Sequence, residues 1–200
     1  AGRYVLKYDG AGVTVDKDWT AGVFATCALV HNNSLLFGFS GTTKIQIRDT
    51  AGNYAAATDN VYASFLYHVQ DRLWRSTATN EVSNCNSTDD PGLLASWSTG
   101  IPIGDDDYGI TALSALGDRL LVSKVNGMYV GDQAAIFPNV FPQLENMPWV
   151  ENGRVTVSRG EDAFYVHQTG CLRYNGRGVE EVGPQVNYSA LPNEISSLYM

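Results

Sequence analysis

The sequence is short of charge, and of positive charge above all. Only 17% of its 200 residues are charged, 13 basic against 21 acidic, for a net charge of −8. The basic residues are scattered without forming a stripe, which argues against nucleic acid as a main partner. Cysteine is scarce: Cys27, Cys85 and Cys171 stand far apart, with no C-x-x-C pair and no cysteine–histidine cluster. That spacing argues against a metal–thiolate site and favours core thiols, a single disulfide in an oxidising setting being the other use open to them. No apolar run approaches the ~20 residues of a helical membrane span. Ala1–Gly10 lacks the charged-then-apolar order of a signal peptide. Helical periodicity is missing too; Ala55-Ala56-Ala57 has helical composition but is too short, and reads as outer strand or loop.

A catalytic set is also lacking. His31, His68 and His167 fall at different registers of the pattern described next, with no shared carboxylate or nucleophile, although histidine is the side chain that titrates near neutral pH unaided. No catalytic, cofactor-binding or metal-ligating residue is therefore expected, no cofactor is implied, and the chain reads as non-enzymatic.

What the sequence does have is a recurring phrase. In Ile110–Asp132 three short apolar runs are joined by Gly117-Asp118 and by Asn126-Gly127, the strongest short hairpin signal there is. Adjacent residues are apolar, so both faces of this small sheet are to be buried, and it needs neighbours like itself. Leu35, Leu73, Leu120 and Phe164 anchor equivalent middle strands at separations of 38, 47 and 44 residues. Gly41, Gly127 and Gly170 lead to third strands at Lys44–Ile47, Met128–Val130 and Leu172–Tyr174; the copy at Leu73 lacks such a turn and runs on through polar residues. Four-stranded units at this period are the signature of β-propeller blades, the alternative being a β-sandwich with coincidental spacing. The expected fold is all-β, a propeller fragment of about four whole blades and two partial ones. The units are 1–19 (partial), 23–60, 61–109, 110–152, 153–189 and 190–200 (partial). Arg3–Gly10 matches Cys171–Gly176 and so reads as beginning in mid-blade, and the chain is therefore expected to be part of a longer protein.

Local features invite sharper readings. Gly104-Asp105-Asp106-Asp107-Tyr108-Gly109 offers three carboxylates to a Ca²⁺ ion, but adjacent carboxylates point apart, and a solvated loop is the better reading. Ser87–Gly92 with Trp97 resembles a stretched Asp-box turn, and a turn capping a blade hairpin accounts for it. Trp19, Trp74, Trp97 and Trp149 sit near strand ends, where they are expected to pack between blades rather than stack on sugars. Asn32, Asn86 and Asn187 head glycosylation sequons, about as many as chance gives. The best contact candidates are loops on the rigid scaffold: the polar Ser76–Asp90 stretch, and the Pro-rich Phe137–Pro148 segment. There Phe137, Phe141 and Trp149 either form an apolar patch for a partner or fold back onto the fourth blade.

The order Asp71-Arg-Leu-Trp-Arg75, Val82-Ser, Asp89-Asp-Pro91, Trp97 and Ile103-Gly104, followed by Leu120-Leu-Val-Ser-Lys124, Asn126-Gly-Met-Tyr129 and Glu181-Val-Gly-Pro184, resembles blades of bacteriophage virion propellers. Such propellers occur in tail nozzles, tail hubs and tail-associated adhesion proteins. The resemblance covers about residues 61–190 and rests on repeat grammar. It implies a structural or host-contacting virion protein, virion-borne or extracellular, in a larger assembly with other virion or surface proteins and a host-surface glycan as partners. Two further classes fit such a chain: a secreted or surface propeller binding glycans or proteins, and a propeller glycosidase or lyase with its site outside this stretch.

Overall fold

The computed structural model of the protein describes residues 3–8, 10–77, 80–124, 127–131, 137–138, 140, 156–159, 162–167 and 170–182. Among them no α-helix occurs, and no helix is long and apolar enough to cross a membrane. The strands follow one another as meanders. β1 (Tyr4–Tyr8) and β2 (Val13–Asp18) form a two-stranded sheet. β3 (Ala25–His31), β4 (Ser34–Phe39), β5 (Gln46–Arg48) and β6 (Tyr54–Ala56) form a four-stranded sheet in that order, so the alanine run contributes an outer strand. β7 (Phe65–Val69), β8 (Arg72–Ser76), β9 (Glu81–Asn86) and β10 (Ile101–Pro102) form the next. β11 (Ile110–Leu116), β12 (Arg119–Lys124) and β13 (Gly127–Gly131) form a three-stranded sheet. β14 (Thr156–Arg159), β15 (Asp162–His167), β16 (Gly170–Tyr174) and β17 (Val179–Val182) form the last. Alongside β13, Val130 N donates to Pro138 O (3.3 Å) and Val140 N to Met128 O (2.7 Å), so part of the Pro-rich segment takes a fourth-strand place. The opening strand expected at 190–200 lies outside the described residues.

The first hairpin of each sheet needs a tight turn, and the turn residues show it. Asn32 (φ 45°) and Asn33 (φ 62°), Gln70 (φ 54°) and Gly117 (φ 60°) all take the left-handed conformation that matches a hairpin turn to strand twist. Counting from the first residue of each middle strand corrects the expected register at one place. Leu35, Leu73 and Leu120 are each the second residue of a middle strand, but in β15 that place belongs to Ala163, and Phe164 is one position on. The anchor phrase pairs Asp162 with Asn33, Asp71 and Asp118, whereas Asp162 opens β15 and so stands level with Ser34, Arg72 and Arg119; a one-residue slip transfers a side chain to the other face of a strand. Leu73, Leu120 and Ala163 are buried to within 1% of completely, and Leu35 and Phe164 are half-buried.

A second regularity emerges three residues further along. Gly38, Ser76 and Ser123 occupy the same place in β4, β8 and β12, and all three are buried. At Gly38 the reason is visible: a Cβ would stand 2.6 Å from Cys27 Sγ and 2.7 Å from Ala63 O.

The polar stretch after Leu73 is not an exposed insertion. It contains β9, in which Val82, Ser83, Asn84 and Cys85 are buried. A polar strand can be buried here because its groups are met: Arg75 Nε donates to Ser83 Oγ (2.8 Å), Arg72 Nη1 to Asn84 Oδ1 (3.3 Å) and Asn84 N to Ser98 Oγ (3.0 Å).

The chain divides into two compact units, Ala1–Leu66 with Arg72–Ala78 and Ser83–Thr99, and Tyr67–Asp71 with Thr79–Val82 and Gly100–Met200. The first has two cores. Leu36, Ile45, Val61, Leu66, Leu73, Cys85 and Trp97 build one; Trp19, Phe37 and Phe39, with Val5 and Tyr54 at their edge, build the other. The second unit buries Leu116, Leu121, Met128, Val130 and Ala163 together, with Val140 packed against them.

Candidate functional site

In the first unit, the end of β2, the residues that follow it and the β4–β5 connection border an open recess of about 250 Å³. Trp19 anchors it. The indole is 5% exposed and meets Phe37, Phe39 and Tyr54 edge-on, with ring centroids 5.4, 5.0 and 5.7 Å away, a preferred aromatic geometry. That packing fixes the ring but leaves its Nε1–H, buried, without an acceptor, at a cost of about 1–3 kcal/mol. Phe39 and Val23 supply the rest of the apolar lining.

The polar lining comes from separate places in the sequence: Lys17, Asp18 and Thr20 from one segment, Thr43 and Gln46 from another. Asp18 is engaged, since Arg3 Nε and Nη2 donate to its two oxygens at 2.7 and 2.9 Å. The neighbouring Asp16 is engaged as well. It accepts from Arg48 Nε (2.7 Å) and Tyr54 OH (2.5 Å), which hold its carboxyl below the usual carboxylate range. Burial, and then that bond to the carboxylate, push the Tyr54 hydroxyl up to about 12. Lys17 differs: its ammonium lies 5.5 Å from the Trp19 ring and 5.4 Å from the Tyr54 ring, and no carboxylate pairs with it among the described residues. The side chains of Thr20, Thr43 and Gln46 make no hydrogen bond among the described residues either. Chemically this is a small recess with one uncompensated cation, three groups that both donate and accept, and an aromatic wall.

The residues singled out by sequence are distributed otherwise. Phe141 and Trp149 lie outside the described residues; Phe137 is half-buried. His31, His68 and His167 lie on β3, β7 and β15 of three different sheets. His31 is buried at a strand end, its Nε2 3.2 Å from Asn32 Nδ2, which donates to Ser87 O (2.6 Å). Trp19, Trp74 and Trp97 are all buried. The turn before Trp97 is closed by its own groups: Asn86 Nδ2 donates to Asp89 Oδ2 (2.9 Å), Gly92 N to Asp90 Oδ1 (2.8 Å) and Trp97 Nε1 to Pro91 O (3.1 Å). Cys27, Cys85 and Cys171 are free thiols; burial pushes Cys85 up to about 12 and raises the other two.

The aspartate loop at Gly104–Gly109 is gathered by a lysine. Lys124, fully buried on β12, donates from Nζ to Ile103 O (2.8 Å) and to the main-chain carbonyl of Asp105, with the Asp105 carboxylate 3.4 Å away. Asn80 Nδ2 donates to the same Asp105 carbonyl (2.8 Å) and to Asp106 Oδ1 (2.7 Å). Among the described residues no group of three or more His, Cys, Asp or Glu is placed to hold a metal.

With this geometry in view, comparison with solved structures decides the architecture. The chain is similar to a catalytically inactive variant of virginiamycin B lyase from Staphylococcus aureus with quinupristin, at TM-score 0.67 and 12% identity over 93% of this chain and 65% of that one. The fold is that of a β-propeller. A chain of the mitotic checkpoint complex gives TM-score 0.60 and 10% identity over 86% of this propeller and 56% of that chain. PorZ, an essential surface component of the type-IX secretion system of Porphyromonas gingivalis, gives TM-score 0.55 and 14% identity over 85% and 23%. The chain thus spans less than two thirds of the lyase structure's length. No protein-family model matches it, and no curated protein matches it in sequence.

Proposed function

We propose that this propeller is a recognition and assembly scaffold that binds rather than reacts, and that it serves as a tail-type virion component contacting a host surface. The observation that carries the binding role is the Trp19 cavity, where Lys17, Thr20, Thr43 and Gln46 line one recess with their polar groups unengaged. Lys17, Thr43 and Gln46 are half-buried there and Thr20 is exposed, and a concave site that sets a few convergent polar groups beside an apolar wall is where a ligand ordinarily binds. The virion role is supported by the blade phrases of residues 61–190 and their likeness to tail propellers; the segment containing Phe137 is the second candidate contact, toward a neighbouring virion protein. The experiment is attachment. Labelled protein should bind whole host cells saturably, compete with particle adsorption, and be found by mass spectrometry in purified particles. Binding to cells without presence in particles would leave a surface or secreted propeller; no binding to cells would overturn the recognition role.

A further inference from the structure

Resting on that recognition role, we propose that the Trp19 cavity takes a single acidic sugar unit, its carboxylate on Lys17 and its hydroxyls on Thr20, Thr43 and Gln46. Charge comes first. Of the ionised groups at the cavity, Asp18 is neutralised by Arg3 at 2.7 and 2.9 Å, and Asp16, next to Lys17 in the strand, is committed to Arg48 and Tyr54. Lys17 alone is left without a counter-charge, facing only aromatic rings at 5.5 and 5.4 Å. One cation calls for one anion.

The remaining donors and acceptors select among anions. A phosphate is suited by several fixed N–H donors converging on it, such as a guanidinium fork or a helix N-terminus. The cavity instead offers two hydroxyls and a carboxamide, each able to donate and accept, which is the pairing that vicinal sugar hydroxyls require. Val23, half-buried, gives the apolar edge against which the C–H face of a pyranose would lie. Size then limits the ligand. About 250 Å³ is below the ~300–1,000 Å³ of sites that swallow a drug-sized molecule, so one ring enters and the rest of a glycan stays outside, as with a terminal or branching residue.

The probes are the methyl glycosides of glucuronic acid and of N-acetylneuraminic acid, set against methyl glucoside and the methyl ester of the glucuronide, by calorimetry and saturation-transfer NMR on the whole 200-residue chain. An acid should bind at least about tenfold more tightly than its neutral counterparts, as loss of a charge-assisted contact implies, and should weaken with salt. Lys17→Met should remove that preference, and Gln46→Glu, which sets a second negative charge in the recess, should abolish acid binding while the thermal transition is unchanged. Equal binding of acid and ester, unaltered affinity in Lys17→Met, or no binding of any glycoside overturns the proposal. If acids fail while whole cells are still bound, only the ligand class is wrong; if both fail, the recognition role falls with it.

Discussion

Replacing Lys124 by methionine, alone and together with Asn80→Ala, separates what the buried lysine does from what it costs. The ammonium is fully buried and donates to Ile103 O at 2.8 Å and to the Asp105 carbonyl. Its carboxylate partner, Asp105, is half-exposed, so removing the lysine returns that charge to water and leaves no buried anion. Two other effects oppose each other. Ile103 is completely buried, and its carbonyl loses the Lys124 donor at a cost of about 1–3 kcal/mol, while the desolvation penalty of the ammonium disappears. The single variant is therefore expected to lose less than that full cost, about 1 kcal/mol net. The double-mutant cycle is cleaner because desolvation cancels in it. The Asp105 carbonyl has two donors, Lys124 Nζ and Asn80 Nδ2 at 2.8 Å, so either single change leaves one of them in place and the double change removes both. The double variant should therefore exceed the sum of the singles by about 0.5–3 kcal/mol. Urea unfolding followed by tryptophan fluorescence measures all four corners. Additivity, or a Lys124→Met variant more stable than the parent, would refute the idea that this lysine holds the loop.

Other outcomes follow from the same reasoning. Gly38→Ala should destabilise by about 1–3 kcal/mol through overpacking, because the new methyl meets Cys27 Sγ and the Ala63 carbonyl; an unchanged thermal transition would show that the approach is slack. Tyr54 has its pKa raised from 10.0 to about 12 by burial and by Asp16, so its contribution is full below pH 10 and is lost as pH rises through 12. Tyr54→Phe should flatten the alkaline limb of the stability profile in that window, and an identical limb in both proteins would argue that the hydroxyl is not held. With all three thiols raised by burial, a thiol reagent at pH 8 should titrate none rapidly in the native protein and three in denaturant; one fast equivalent would mark a misplaced cysteine.

How far the fold was legible depended on where apolar pattern and turn chemistry agreed. β11–β13 could be read whole, since Gly117 and the Asn126-Gly127 turn bracket strands that are apolar at adjacent positions. β9 was missed because Glu81, Ser83, Asn84 and Asn86 deny it that pattern, and its burial rests on Arg72, Arg75 and Ser98, partners that a linear scan does not bring together. Asp162 misled the register because an acidic residue that opens a strand looks like Asp71 and Asp118, which stand just before theirs. The cavity was hidden for the reason most sites are. Trp19 was visible as an aromatic near a strand end, but Thr43 and Gln46 become its neighbours only when β4 and β5 fold back on each other. A faint signal existed in the spacing of unpaired polar residues around β5, Thr43 and Gln46 flanking the buried Ile45.

The small residues at the fifth place of the middle strands bear on how this protein tolerates change. Large core side chains such as Leu73 or Trp74 are the positions usually thought fragile, yet a smaller apolar residue there leaves a void into which neighbours can relax. Gly38 has no such latitude in the opposite direction, since a main-chain carbonyl stands where any side chain would go. In a saturation library the sharpest intolerance should therefore fall on Gly38, with Ser76 and Ser123 next, rather than on the bulkiest residues. The imprint of the repeat on such a map would be a ceiling on size, recurring in β4, β8 and β12.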